Sequence, residues 1–374
     1  MKTSRLSLNQ MFTLMVLFLI ASPTLTMVGR MSGQDVWIVI LIASVIGLVL
    51  FLMFYRISRL HSYAPLWSII QDSFGKWLGG LVVLGYSGYF LYLATSLLKS
   101  TGDMIQFTLL PQANLFVVNG LLMLAVVYGI ILGINAVGRS SELLFYVVIL
   151  LLVPLIFCIF TSDIFKFDNF LPVLEKGFYG IRRDIYTATF LPFGELVCFL
   201  AIFPLIPGKC QSGILKISLI SIVLGTFIIV MLDVLNVGIL GPDLAKNFVY
   251  PFYNAMKMVG VGVFFERLDP IAILILMMTC FFKMAVYFYS GIVCLDGLMS
   301  RFTYRQLAIP VGIIVVVASG FISENRVQDL YRAIHFNSRY VHPAFQLAIP
   351  LLLWIISEMK YRKHPRQIKT ETSN

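Results

Sequence analysis

The chain has 374 residues, of which 59% are hydrophobic and only 12% are charged. Soluble domains carry about 25% charged residues, so the composition excludes a soluble globular protein and predicts a membrane protein. The net charge of +10 is expected to lie in loops, where it contacts the anionic headgroups of the lipid bilayer. Because no basic face is expected outside those loops, nucleic acid is not predicted as a partner.

Runs of about 18 or more mainly apolar residues are long enough to cross a bilayer as helices. About ten occur, near residues 9–28, 34–55, 78–108, 113–133, 141–161, 185–206, 214–240, 269–293, 306–323 and 342–357. The short intervals leave no room for a soluble domain, so residues 1–374 are predicted to form one polytopic domain. An even number of spans places both termini on one side, and the Lys and Arg residues of the short loops favour the cytoplasm.

The first and sixth spans each contain a proline motif. Near the middle of the first span stands Ala21-Ser22-Pro23-Thr24, and the sixth contains Leu191-Pro192-Phe193-Gly194-Glu195. Proline removes a backbone donor and clashes with the preceding turn, so both spans are expected to open. Open backbone at membrane depth must line a cavity or contact protein, and matching breaks in two halves indicate a binding site between inverted repeats. Predicted ligand-binding residues are therefore Ala21, Ser22, Pro23, Thr24, Pro192, Phe193, Gly194 and Glu195.

This pattern predicts an all-α membrane protein with the 5+5 inverted-repeat transporter fold and broken helices 1 and 6. We expect the first repeat over about 9–161, the second over about 185–357, and a basic cytoplasmic tail over 358–374.

The third span carries polar residues at helical spacing, among them Tyr86, Tyr89, Ser96 and Lys99. Such a face in an apolar helix indicates a cavity wall or a buried polar network. Tyrosines can also serve as interface anchors, but Tyr86 and Tyr89 lie deep in the span. We therefore predict that both line the ligand site.

Two charges are predicted deep in the membrane. Lys283 lies about ten residues from the nearer end of the eighth span, where a charge costs roughly 2.5–3.5 kcal/mol on insertion scales. It is expected to act at the site, or to tether the carbonyls of an opened helix. Glu195 could accept a ligand ammonium, carry a proton, pair with Lys283, or cap the second half of the broken helix. Asp233, with Asn236 one turn on, is interpreted as an interfacial polar pair.

Signals for catalysis and cofactors are missing from the sequence. The four histidines show no H-E-x-x-H spacing, and no phosphate-binding G-x-x-x-x-G-K motif occurs. The five cysteines lack C-x-x-C spacing and are interpreted as small buried residues. We predict that the protein is not an enzyme and binds neither a metal nor another cofactor.

Short motifs add a family resemblance to this pattern. They are Leu171-Pro172-Val173-Leu174, Pro192-Phe193-Gly194-Glu195, Phe203-Pro204, Glu266-Arg267-Leu268-Asp269 and Phe282-Lys283. With the order of spans, they resemble the B subunit of the nutrient germinant receptors of endospore-forming bacteria. That group is similar to the amino acid/polyamine/organocation transporter superfamily.

The resemblance implies a subunit in the spore inner membrane that binds a small germinant, an amino acid or a sugar, between helices 1 and 6. It also implies an A subunit and a C lipoprotein as partners, to which binding is signalled to start germination. An autonomous proton-coupled amino acid transporter, with Glu195 or Lys283 as proton carrier, is the alternative. Ser22-Pro23-Thr24 stands where many relatives have Gly-x-Gly. Lys283 stands where sodium-coupled relatives bind the ion, so we expect no sodium dependence.

Overall fold

The computed structural model describes residues 5–160, 164–259, 268–299, 302–322 and 332–363. Every regular element in these ranges is helical, and ten helical segments are long and apolar enough to cross a membrane. The prediction of an all-α, transporter-like membrane protein with ten spans is thereby confirmed. Glu266 and Arg267 of the sequence motif and residues 364–374 of the tail lie outside the described residues, and the division into two repeats stays a prediction.

The helices follow one another with short connections. They are α1 (Leu8–Thr26), α2 (Val36–Leu60), α3 (Leu66–Phe74), α4 (Lys76–Thr108), α5 (Leu115–Leu132), α6 (Ile134–Phe160), α7 (Gly177–Ala188), α8 (Ile214–Leu240), α9 (Pro242–Asn247), α10 (Pro251–Met258), α11 (Asp269–Leu298), α12 (Tyr304–Phe321) and α13 (Ile349–Lys363). Span 6 consists of α7 and its continuation to Ala201, and span 10 covers Phe336–Lys360.

Helix α1 begins with a capping box and ends close to its proline. The backbone N–H of Gln10 donates to the Ser7 hydroxyl, and the Gln10 side chain accepts from the Ser7 N–H, both at 3.1 Å. At the other end, Met27 adopts left-handed backbone angles (φ 50°) and its N–H donates to the Pro23 carbonyl. Helix α1 therefore stops one turn after Pro23.

The break predicted at residues 21–24 is therefore wrong in position, because α1 continues through Pro23 as far as Thr26. A proline in the last turn costs one backbone hydrogen bond without having to open the helix before it. Nearby hydroxyls add bonds to this turn: Thr24 donates to the carbonyl of Ile20 at 2.6 Å, and Thr26 to that of Ser22 at 3.0 Å. The chain leaves helical geometry only at Met27 and resumes as a 3₁₀ turn over Arg30–Asp35.

Span 6, by contrast, is interrupted where the sequence predicts. Helix α7 gives way to a π-type turn over Thr189–Phe193, in which Leu191 has non-helical angles (φ −117°, ψ 106°), and a 3₁₀ helix follows over Gly194–Ala201. Pro192 cannot donate a backbone hydrogen bond, which explains the loss of regular geometry here. The interruption places the start of the second half, Gly194 and Glu195, inside the bundle.

The interrupted span lies at the centre of the molecule. Span 6, α1 and α11 are the most deeply buried of the ten spans, whereas α5 and α6 expose most of their surface to the surroundings. Helix α11 packs along α4 and against α1, and α1 packs along α8. Residues near the middle of α1, span 6 and α11 therefore meet away from the lipid.

Candidate functional site

A cavity with a mainly apolar lining and several polar groups lies between the C-terminal end of α1, the middle of α4 and the interruption of span 6. Its volume is about 100 Å³. One buried water needs about 10–15 Å³ of such space, so the cavity can hold several waters or one small polar solute. Ser22 and Thr26 of α1 line it on one side, and Thr187 and Glu195 of span 6 line it on another.

The remaining walls add serines and charged groups. Ser96 and Ser100 of α4 contribute hydroxyls, and Arg30 and Asp184 contribute charges of opposite sign near the turn that follows α1. Met31 in this turn also lines the cavity and is 61% exposed, so the cavity is open on this side. A solute with both an anionic and a cationic group would find a partner for each.

At the inner end of the cavity, Glu195 forms an ion pair with Lys283 of α11. A carboxylate oxygen lies 2.6 Å from the ammonium nitrogen, and the two side chains are 2% and 0% exposed. The ammonium also lies 4.6 Å from the centre of the Phe18 ring and 5.6 Å from that of Tyr287, positions that favour a cation electrostatically.

This arrangement selects among the interpretations left open by the sequence. Pairing of Glu195 with Lys283 is the one observed, and no side-chain capping bond starts the Gly194–Ala201 helix. Because each charge is compensated by the other, the pair can stay ionised in a dry environment. Glu195 also lines the cavity, so its carboxylate lies between the ligand space and Lys283.

Tyr86 and Tyr89 do not line this cavity, although the sequence places them in its wall. The Tyr86 hydroxyl donates to the carbonyl of Phe345 at 2.8 Å. The Tyr89 hydroxyl accepts from the Gln346 amide at 2.7 Å and lies 2.8 Å from Nδ1 of His342. The Tyr89 ring also stacks on that of Phe345 with 4.6 Å between centres. The tyrosine face of α4 is thus the buried polar network that the sequence offered as an alternative.

Most of the other predicted residues surround the cavity without reaching it. Ala21, Pro23 and Thr24 are buried in the last turn of α1. Pro192 and Phe193 are also buried, and Phe193 packs over Gly47 of α2. Gly194 is in close contact with Gln346, since a Cβ there would lie 2.0 Å from the Gln346 amide oxygen. Of the predicted ligand-binding residues, Ser22 and Glu195 line the cavity.

Sequence reasoning missed several residues that line the cavity. They include Asp184, Arg30 and His342. These residues lie at the ends of spans, where charged or polar residues are common, so nothing in the sequence marks them as site residues. In the structure, the Asp184 carboxylate accepts from the Ser32 N–H at 2.6 Å and from the Ser32 hydroxyl at 2.8 Å. These bonds join α7 to the turn after α1 at the open end.

The ten spans of the described residues, with a cavity beside an interrupted helix, define a transporter-like membrane protein. Comparison with known proteins identifies the family more closely. The model of the family described as "Spore germination protein" matches residues 5–327. The chain therefore belongs to the spore germination protein family, as its sequence motifs predict, and is a germination-related membrane protein.

Individual relatives agree with this assignment. Spore germination protein KB of Bacillus subtilis is 29% identical over 367 residues, which cover 98% of each chain. Spore germination protein YndE of the same organism is 22% identical over 370 residues, covering 96% of this chain and 98% of its own. Spore germination protein A2 is 21% identical over 262 residues, 70% of each chain.

Proposed function

We propose that this protein is the germinant-sensing membrane subunit of a spore germination receptor. A small nutrient, an amino acid or a sugar, binds in the cavity between the end of α1 and the interruption of span 6. The observation that carries the proposal is this cavity itself, with Glu195 at its inner end and Arg30 and Asp184 near its open side. Family membership supports a role in germination. We further propose that the protein lies in the inner membrane of the spore, as the resemblance implies, with both termini in the cytoplasm, as the Lys and Arg residues of the short loops favour.

The paired charges favour a sensor over a proton-coupled transporter. A proton carrier must change its charge during the cycle, whereas Glu195 and Lys283 stabilise each other's charge at 2.6 Å. The resemblance implies that sodium-coupled relatives bind an ion in this region, and we propose that the Lys283 ammonium supplies a fixed positive charge in its place. The cavity can thus be shaped for ligand without a coupling ion.

A ligand changes the state of a receptor only by its different affinity for two conformations. In this protein the cavity connects to span 10 through His342, which lines it and contacts Tyr89 and Gln346. Gln346 in turn packs against Gly194 at the interruption of span 6. Closure of the cavity would therefore move span 10 relative to α4, and the resemblance names an A subunit and a C lipoprotein as the receivers of that movement.

The proposal is tested in spores that carry Ser22→Leu, which fills the cavity from α1. We expect about tenfold more germinant for a half-maximal response, equivalent to about 1.4 kcal/mol of binding energy. Ser44→Leu is the matched control, because Ser44 is a half-buried serine of α2 that does not line the cavity. An unchanged dose-response in Ser22→Leu spores would remove the cavity from ligand sensing.

A second experiment separates the receptor from the transporter. The purified chain is reconstituted in liposomes, and uptake of each labelled amino acid and hexose that triggers germination is measured with and without a pH gradient. The receptor function predicts binding without uptake, together with loss of germination when the A subunit is deleted. Uptake driven by the pH gradient would identify the protein as an autonomous transporter instead.

A further inference from the structure

A second buried polar site lies in α8, away from the cavity. Asp233 is 1% exposed, and its Oδ2 atom has no hydrogen-bond partner among the described residues. Asn236 stands one turn further on the same helix, is also 1% exposed, and leaves both atoms of its amide without partners there. Both side chains are therefore fully buried inside the protein, and their interpretation as an interfacial polar pair stays a prediction.

Among the residues that the structure describes, no cation forms an ion pair or a hydrogen bond with the Asp233 carboxylate oxygen Oδ2. Helix α1, which packs along α8, has no ionisable side chain. The ionisable groups on the other described elements packed against α8 are Tyr55, Arg56, Arg59, Asp168, Lys209, Cys210, Asp243, Lys246, Tyr253 and Lys257. None of these forms a hydrogen bond or an ion pair with Asp233 in the part of the chain that the structure describes. Lys246 lies 3.6 Å from Asp243, and Lys257 is exposed.

An ionised carboxylate in such a place would be costly, because burial of an unpaired charge costs several kcal/mol. The charge must be cancelled by a proton or by a bound cation. A sodium or potassium ion needs a shell of oxygens, but the amide nitrogen of Asn236 is a donor that no cation can satisfy. A protonated carboxyl group is neutral, so it needs neither a counter-ion nor a shell of oxygens.

We propose that Asp233 is a proton-binding site, with its carboxyl group protonated in the folded protein. Uptake of one proton converts the carboxylate to the neutral acid, and nothing else is consumed. The proton is released when water reaches the carboxyl group. Glu195 and Lys283, paired with each other, are not needed for it.

The protonation state is measured directly by infrared spectroscopy of the purified protein at pH 7, where a protonated carboxyl group absorbs apart from carboxylates and amides. We expect one carboxylic acid band in the unaltered protein that is missing in Asp233→Asn. The matched control is Asp243→Asn, which removes an aspartate whose side chain is 91% exposed and should leave the band in place. A spectrum of Asp233→Asn that equals that of the unaltered protein overturns the proposal.

Two further measurements keep the test decisive if Asp233→Asn does not fold. The unaltered protein with ¹³C in its aspartate carboxyl groups should show an isotope-shifted acid band at pH 7, and absence of that band contradicts the proposal. Thermal stability should also be the same in sodium, potassium and choline chloride. Stabilisation by sodium or potassium would assign the site to a metal cation rather than a proton.

If the variant folds, its unfolding equilibrium adds a quantitative check. A proton held only by the folded protein changes the unfolding constant tenfold per pH unit, so that stability falls as pH rises. The slope of stability against pH gives the number of protons released on unfolding. This number should be smaller by one for Asp233→Asn, and for Asp243→Asn it should equal that of the unaltered protein. Equal slopes in all three proteins would overturn the proposal. The result is independent of germinant binding.

Discussion

Replacing Lys283 by methionine removes the cation of the Lys283–Glu195 ion pair, whose two side chains are 0% and 2% exposed. Methionine has a similar length and no charge, so the change leaves Glu195 buried beside an apolar side chain. Removing one partner of a buried pair costs about 3–5 kcal/mol.

We therefore expect Lys283→Met to lower the free energy of unfolding by about 3–5 kcal/mol. Glu195→Gln leaves the ammonium unpaired instead and should cost a similar amount. Unfolding of the purified protein in detergent micelles measures both losses.

The double variant completes the cycle. With both charges removed, Lys283→Met with Glu195→Gln should be more stable than either single variant, because no unpaired charge remains. Arg56→Met serves as the control for a partly exposed pair. Arg56 lies 2.7 Å from Glu358 with side chains 42% and 26% exposed, and its loss should cost at most about 1 kcal/mol. Additive losses in the double variant would refute the assignment of the pair as a buried, mutually compensating unit.

Three further predictions concern other parts of the protein. Gly194→Ala should destabilise the protein by about 1–3 kcal/mol, because its Cβ would meet Gln346. Gly88→Ala is the control, since a Cβ there would meet nothing within 4 Å, and it should cost less than about 0.5 kcal/mol in the same unfolding assay. Asp184→Asn should speed the release of bound germinant, since the charge that holds the turn after α1 is lost, and unchanged release kinetics would contradict this. Burial lowers the pKa of His61, so stability is full above about pH 6.5 and falls as the pH drops; His61→Gln should flatten this fall in thermal scans between pH 7 and 5.

The sequence was most informative where a residue conflicts with its surroundings. The ten apolar runs have the length of helices that cross a bilayer, and Lys283 is a charge where the bilayer disfavours one. In span 6, a proline with a nearby glycine interrupts the helix. Each of these features can be recognised from its own position, without knowledge of the rest of the fold. Pro23 shows the limit of this approach. A proline interrupts a helix only if the helix needs to continue, and whether α1 continues beyond Thr26 depends on the packing of the following turn.

Contacts between side chains far apart in the sequence could not be predicted, for a different reason. Tyr89 and His342 are 253 positions apart, and no local pattern links them. The polar face of α4 was visible, but a polar face facing a cavity and one facing another helix have the same periodicity. Asp233 was judged from its distance to the end of its helix, whereas its burial depends on the elements that pack against α8.

The bonds between α4 and span 10 bear on how the protein enters the membrane during synthesis. Span 10 is made after α4, and it carries His342 and Gln346 in its first half, both 1% exposed or less. Such side chains oppose partition of a lone helix into lipid. Their partner Tyr89 is already in the bilayer when span 10 leaves the ribosome, and the resulting bonds compensate the polar groups. Insertion of span 10 should therefore depend on α4 having reached its place, so that Tyr89→Phe lowers the yield of fully inserted chains.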